Sequence, residues 1–187
     1  ALLGQLAAAP AAAWAQHTPL PWTIAAAGLG VAWLLAPRGV PGRALGALWL
    51  APLALVAPPP PPEGTARIAI LDVGQGLAAV VRTHRHALVY DTGPRWHDTA
   101  DAGGRIVAPY LRHAGIVRLD ALFVSHQDLD HSGGAVSVMR AIPVESLVSS
   151  LPDDHPIVGA RAGTPSRRCV DGMRWRWDGV DFAVVHP

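Results

Sequence analysis

The sequence predicts an α+β domain preceded by an apolar helical segment, and three observations carry that expectation. Residues 66–90 read as strand, glycine turn, strand, polar turn, strand, which is an antiparallel meander. Downstream, helix-like and strand-like stretches follow one another and end in a hairpin over 172–185. The composition also changes at a run of five prolines, Pro58–Pro62. Nearly all the Asp, Glu and His lie after it, whereas the first third is rich in Ala, Leu, Trp and Pro. The net charge of +1 averages two unlike segments and therefore excludes little about partners. The single cysteine, Cys169, excludes an internal disulfide and argues against a thiolate metal site. A small packed residue is the expected role for it.

Residues 1–16 are apolar but broken by Pro10, as at the end of a membrane helix or in a short surface helix. Leu20–Ala36 is uncharged and near the lower length limit for spanning a bilayer; Ala44–Ala57 is shorter and also uncharged. The loop between them carries Arg38 and Arg43 and no acid, so the positive-inside tendency puts it in the cytoplasm and everything after Pro58 on the other side. Trp14, Trp22, Trp33 and Trp49 suit helix ends or interfaces. The rival readings are a signal peptide, which two runs and a basic loop fit badly, and a buried hydrophobic hairpin. The prolines form a stiff polyproline II spacer and mark a domain boundary.

After the spacer, Ala66–Asp72 alternates as a strand, Val73–Gly76 turns, Leu77–Arg82 returns, and Ala87–Tyr90 is the third strand, ending at Asp91-Thr92-Gly93. Asp72 and Asp91 thus sit where strands stop, the usual place for functional side chains. Residues 94–103 read as a charged loop. Gly104–Gly115 has helical spacing, with Pro109 requiring a start close before it. A short buried strand follows at Asp120–Val124, then a helix at Gly134–Ala141, a strand at Val144–Ser149, and a Pro-, Gly- and Arg-rich loop over Leu151–Arg168. In the final hairpin Asp178-Gly179 makes the turn. Its alternation puts Trp175 and Trp177 on one face and Arg174 and Arg176 on the other. Tryptophans in the core with arginines in water is the commoner arrangement, and a grip on single-stranded DNA the alternative.

The strand Asp120–Val124 runs directly into Ser125-His126-Gln127-Asp128-Leu129-Asp130-His131-Ser132-Gly133-Gly134. Two imidazoles and two carboxylates in six residues are poor packing material, because an unpaired buried carboxylate costs several kcal/mol. They do suit a divalent metal, so His126, Asp128, Asp130 and His131 are the candidate ligands. The two glycines would let backbone approach a metal or an anion. The competing reading is a polar strand-to-helix turn with Asp130 or Ser132 as N-cap.

In order and spacing, Leu-Asp-Val-Gly-Gln-Gly at 71–76, Tyr-Asp-Thr-Gly-Pro at 90–94 and Ser-His-Gln-Asp-Leu-Asp-His-Ser-Gly-Gly at 125–134 resemble the opening motifs of the metallo-β-lactamase-like domain of the ComEC family of DNA-internalisation competence proteins. One departure from the broader His-x-His-x-Asp-His signature is Asp128, which stands where most metallo-β-lactamase-fold proteins have the second histidine. The resemblance covers Ile68 onward and implies the N-terminal half of an αββα sandwich over 67–187. A Pro-rich linker at 58–66 and transmembrane helices within 1–57, the end of the competence portion, would precede it. It further implies that His126 and Asp128 bind one metal and Asp130 and His131 a second. Asp91 would order the site from beneath, with Asp72 and Gln75 near the substrate, although hairpin geometry alone explains those two equally well. Asp130, Asp91, Asp72 and Gln75 are accordingly the expected catalytic set. A carboxylate in place of imidazole favours manganese or magnesium over zinc.

The function so implied is DNA uptake in natural transformation. The protein would sit in the bacterial inner membrane, with the C-terminal domain outside the cytoplasm as a metal-dependent phosphodiesterase or nuclease. Its partners would be DNA, the membrane and other competence-machinery proteins. The family's further ligands, in a Gly-Asp pair and a His-His-Gly-Ser stretch, do not occur in these residues, so this stretch alone is expected to bind metal weakly and turn nothing over. The alternatives are a generic hydrolase of a small ester, thioester or lactam, and a DNA-binding part of the uptake channel without catalysis.

Overall fold

The structure, a computed structural model, describes residues 17–37, 39–160 and 163–186. The expected apolar segment 1–16 and Arg38 of the basic loop lie outside the described residues. The chain divides into two compact units, one holding the described residues up to Pro59 together with Arg112–Gly115, the other the remainder from Pro60 on.

In the first unit α1 (Pro21–Leu34) starts with proline in its first turn, where a fixed φ is helical and no N–H is needed. The Thr23 hydroxyl donates to the Leu20 carbonyl at 2.7 Å. A 3₁₀ segment (Arg43–Leu50) and the short α2 (Ala51–Leu55) follow. Gly30 and Gly46 let the two backbones touch, since a Cβ on either would overlap the other's carbonyl. Trp22, Leu29, Leu48 and Leu55 stay exposed around this pair. The transmembrane helices expected within 1–57 are not seen among the described residues of that range. Among the described residues no helix is long and apolar enough to cross a membrane. The 14 residues of α1 rise about 21 Å at 1.5 Å each, short of a hydrocarbon core about 30 Å thick. Pro37 stops α1, and Pro52 lies where the 3₁₀ segment gives way to α2, which breaks the second run.

The second unit is built on a mixed six-stranded sheet. β1 (Arg67–Ile70), β2 (Ala79–Arg82) and β3 (Ala87–Tyr90) form the expected antiparallel meander. β6 (Ala121–Val124) then pairs parallel to β3, β7 (Leu147–Ser149) to β6 and β8 (Ser166–Arg168) to β7, in the order β1-β2-β3-β6-β7-β8. Parallel pairing puts the carboxyl ends of β3 and β6 side by side, the usual place for a crevice in such sheets. Between β3 and β6 the chain forms a small ribbon, β4 (Arg95–His97) with β5 (Ala100–Asp101), where only a loop was expected.

The helix after the ribbon begins earlier than Pro109 suggested. A π-type turn over Gly103–Val107 runs into α3 (Ala108–His113), and its wider winding accommodates a proline ring and a missing N–H in the first turn of α3. α4 (Leu129–Ser132) and α5 (Ala135–Ala141) follow β6. The expected loop over 151–168 contains α6 (Pro156–Gly159) and the edge strand β8.

Alternation divides the sheet into two apolar faces. Val89, Leu122, Val124 and Leu147 are almost wholly buried on one, each fully buried side chain contributing about 1.5–3 kcal/mol. Leu88, Ala121, Phe123, Val148 and Cys169 form a cluster on the other, covered by β9 (Arg174–Trp177) and β10 (Val180–Ala183). Phe123 stacks on Trp175 at 5.7 Å between centroids, and Trp175 on Phe182 at 5.1 Å. The tryptophans therefore belong to the core, while Arg174 and Arg176 are exposed. Burial pushes the Cys169 thiol pKa up, as befits a packed and unreactive cysteine.

Asp178 ties this hairpin to the β2–β3 turn. Its side chain is 3 % exposed and accepts from the Thr83 hydroxyl at 2.6 Å, the Arg85 amide at 2.7 Å and His86 Nδ1 at 3.0 Å. His86 stacks on Trp177 in turn. The proline run is anchored alongside: His84 Nδ1 donates to the Pro61 carbonyl and Gly64 N–H to that of Asp178.

The hydrogen bonds, the one from Thr83 foremost, hold the Asp178 carboxyl well below its usual range despite burial. A depressed carboxylate contributes stability above its unfolded pKa, near 3.9, and loses it as pH falls through the lower folded value. Asp178→Asn keeps a residue that tolerates the positive φ of 48°. It should lower the urea midpoint at pH 7 without changing the slope, and it should flatten the acid limb of a stability–pH curve below about pH 4.

Candidate metal centre

The carboxyl end of β3 places Asp91, with φ 58°, wholly buried beneath the loop that leaves β6. Its carboxylate accepts three hydrogen bonds: Ser125 N–H to Oδ1 at 2.8 Å, and Ser125 Oγ and His131 Nδ1 to Oδ2, each at 2.7 Å. Ser125 Oγ also lies 3.2 Å from His126 Nδ1. A hydroxyl has one proton, and that of Ser125 goes to Asp91, so His126 Nδ1 must be the donor in the last contact. One buried carboxylate thus fixes the tautomer of both imidazoles, one directly and one through Ser125. In the neutral form of either ring the lone pair then lies on Nε2, the arrangement a metal requires.

The two rings meet edge to face, with centroids 4.1 Å apart. His126 Nε2 lies 3.8 Å from Asp128 Oδ2, and His131 Nε2 lies 3.8 Å from Asp130 Oδ2. These separations exceed a hydrogen bond, and two donors each about 2.0–2.2 Å from a shared ion stand ~3–4 Å apart. The donor set therefore fits divalent ions as two His–carboxylate pairs. Among the described residues no three His, Cys, Asp or Glu side chains converge to enclose an ion by themselves.

The capping alternative fails on geometry. Asp128 occupies the N-cap position of α4 but its side chain caps nothing, Asp130 lies in the first turn, and Ser132 Oγ donates to the Gln127 carbonyl. The glycines act differently from the sequence-based expectation. A Cβ at Gly133 would overlap the Arg95 amide and one at Gly134 the Gly103 amide, so both serve close backbone packing and not the approach of a ligand. Gly76 does the same from the meander. Its φ is 131°, its missing Cβ makes room for the Asp130 carbonyl, and Leu77 N–H donates to that carbonyl at 3.2 Å. Thr92 completes the cradle, its N–H and hydroxyl both donating to the His131 carbonyl.

Of the remaining expected site residues, Gln75 shares a cleft with Asp130. Asp72 is exposed, and its Oδ1 accepts the Gly74 amide at 3.2 Å, an Asx-type turn within the hairpin. Beside the cluster, Tyr90 has its hydroxyl pKa pushed up by burial first and by the Asp91 charge second. Ser125 is the functional residue that sequence reasoning passed over. Its one signal was its position, directly before His126 at the end of a buried strand.

Asp91→Ala leaves the partly buried donors of Ser125 and His131 without the acceptor they point at. It should cost on the order of 3–5 kcal/mol in denaturant unfolding. Ser125→Ala keeps the backbone bond and the fold but releases the His126 tautomer. It should weaken divalent-metal affinity by about 10- to 100-fold in competition titration with a chromophoric chelator.

Residues 71–184 match the metallo-beta-lactamase superfamily. The chain is 38 % identical over 154 residues to "Competence protein ComA" of Neisseria gonorrhoeae, a match covering 82 % of this chain and 20 % of that protein. It is 35 % identical over 132 residues to "Recombination protein 2" of Haemophilus influenzae, covering 66 % and 15 %. With "ComE operon protein 3" of Bacillus subtilis it shares 30 % identity over 108 residues, covering 49 % and 14 %. The chain thus spans a fifth or less of the length of these relatives.

Proposed function

Because the chain belongs to the metallo-β-lactamase superfamily, within the ComEC-type competence proteins, we propose that it is part of a membrane-associated DNA-uptake protein whose domain hydrolyses DNA phosphodiesters with divalent metal. The observation that carries this reading is the Asp91 network, which leaves two imidazole Nε2 lone pairs beside two carboxylates. His126 and Asp128 would hold one ion, Asp130 and His131 a second. Such ions supply a water of lowered pKa and neutralise charge on a phosphodiester. Asp128, a hard ligand in place of an imidazole, favours manganese or magnesium over zinc.

The chain's own groups do the positioning. Asp91 and Ser125 hold the imidazoles, the Asp130 carbonyl is pinned by Leu77, and the Gln75 amide faces the cleft that Asp130 lines. The first unit, which carries no acidic residue and turns Trp22, Leu29, Leu48 and Leu55 outward, supports an association with lipid. The arginine bias of the loop at 37–43 supports a bacterial inner-membrane site with the C-terminal domain on the extracytoplasmic side. DNA and other proteins of the uptake machinery are the partners this reading implies.

The test is cleavage of labelled single- and double-stranded DNA by the full-length protein in detergent with manganese, magnesium or zinc. Asp130→Ala should reduce cleavage at least ~100-fold while DNA binding is retained, and manganese should activate better than zinc. Wild-type protein that binds DNA but cuts nothing with any of these ions would assign the domain a binding role. Turnover of a thioester or lactam in place of DNA would assign it to small-substrate hydrolysis.

A further inference from the structure

Next to the metal cluster lies a cleft of about 370 Å³ lined by Gln75, Pro94, Trp96, Leu129 and Asp130. Nothing above uses Trp96. Trp96 is 46 % exposed on β4, and Leu129, which also lines the cleft, is 61 % exposed. Trp175 and Trp177 stack within the core, whereas Trp96 makes no ring contact with another aromatic among the described residues. Two exposed apolar side chains lining one cleft make a patch that a planar ligand can cover.

The backbone that carries Trp96 is packed against the helix that carries Asp130. α4 packs on the ribbon through Gly133, which has no Cβ to meet the Arg95 amide, and the Ala102 amide donates to the Pro94 carbonyl at 2.9 Å. The cleft's one charged side chain is the Asp130 carboxylate, so it suits an uncharged planar group and not a phosphate. Gln75 offers a donor and an acceptor at the edge of such a group. Arg95, the neighbour of Trp96, is exposed and pairs with no carboxylate among the described residues, which leaves it available to a phosphate nearby.

From this arrangement we infer that Trp96 is a base-stacking platform: the cleft takes a nucleobase of a DNA strand whose phosphodiester lies at the metal cluster. The inference rests on the phosphodiester reading and adds a subsite to it. Stacking on an aromatic is tolerant of base identity, since every base has a π face, and contributes strongly to single-strand binding.

The experiment is fluorescence anisotropy of the full-length protein in detergent, without added metal. The probes are a fluorescein-labelled 12-nucleotide single-stranded DNA and the same backbone made abasic throughout. Wild type should prefer the base-bearing strand. Trp96→Ala and Trp96→Leu should each weaken that strand by about 5- to 150-fold while leaving the abasic strand unchanged, and Trp96→Phe should retain most of the affinity. The leucine variant keeps an apolar side chain on the ribbon and separates loss of the ring from loss of the fold. Base-bearing DNA bound equally well by wild type and Trp96→Leu overturns the subsite alone. Failure of wild type to bind either strand overturns the subsite together with the phosphodiester reading.

Discussion

The candidate site depends on one buried carboxylate. Asp91 joins the end of β3 to the loop after β6 and to α4, through a backbone amide, a hydroxyl and an imidazole on just two oxygens. Its positive φ is a conformation that aspartate, almost alone with asparagine and glycine, adopts at low cost. Take the carboxylate away and three donors lose their acceptor in a place water does not reach. The imidazoles would also lose the bonds that select which nitrogen carries the proton, so packing and chemistry share a single cause.

The sheet explains why this carboxylate meets these donors. An antiparallel β3–β6 pair would have sent Asp91 and Ser125 to opposite edges; parallel pairing puts them together. Both faces must then be covered, which accounts for the buried runs in β3 and β6 and for the aromatic stack laid over the second face by β9 and β10. Asp178 extends the same device to the far side, a low-exposure carboxylate fastening a hairpin to a turn 92 to 95 residues earlier in sequence.

The meander, β6, the terminal hairpin and the four-residue cluster were legible in the sequence because each has its own local signature. These are alternation between glycine turns, an apolar run bounded by polar residues, an Asp-Gly turn, and two imidazoles and two carboxylates crowded into six residues. The Trp175 and Trp177 face also fell where alternation put it. What stayed hidden had no such signature. β8 is Ser-Arg-Arg, wholly exposed at the sheet's edge, so no alternation marks it. The π turn before Pro109 is an adjustment of winding that spacing cannot show. In the first unit, hydropathy reported how apolar the runs are but not where the prolines end them. Ser125 and Gly133 matter through what they meet in space, a carboxylate 34 residues away in one case and the ribbon's backbone in the other.

That 34-residue separation bears on how the molecule comes together. The entropy of closing a loop must be met before any long-range contact returns free energy, and it grows with the logarithm of length. The imidazoles therefore cannot acquire their selected protonation pattern from the local segment alone; they wait until β6 has docked beside β3. During synthesis the segment would emerge as a plain, unorganised polar stretch, and its imidazoles would take up their partners only as the sheet's centre closes.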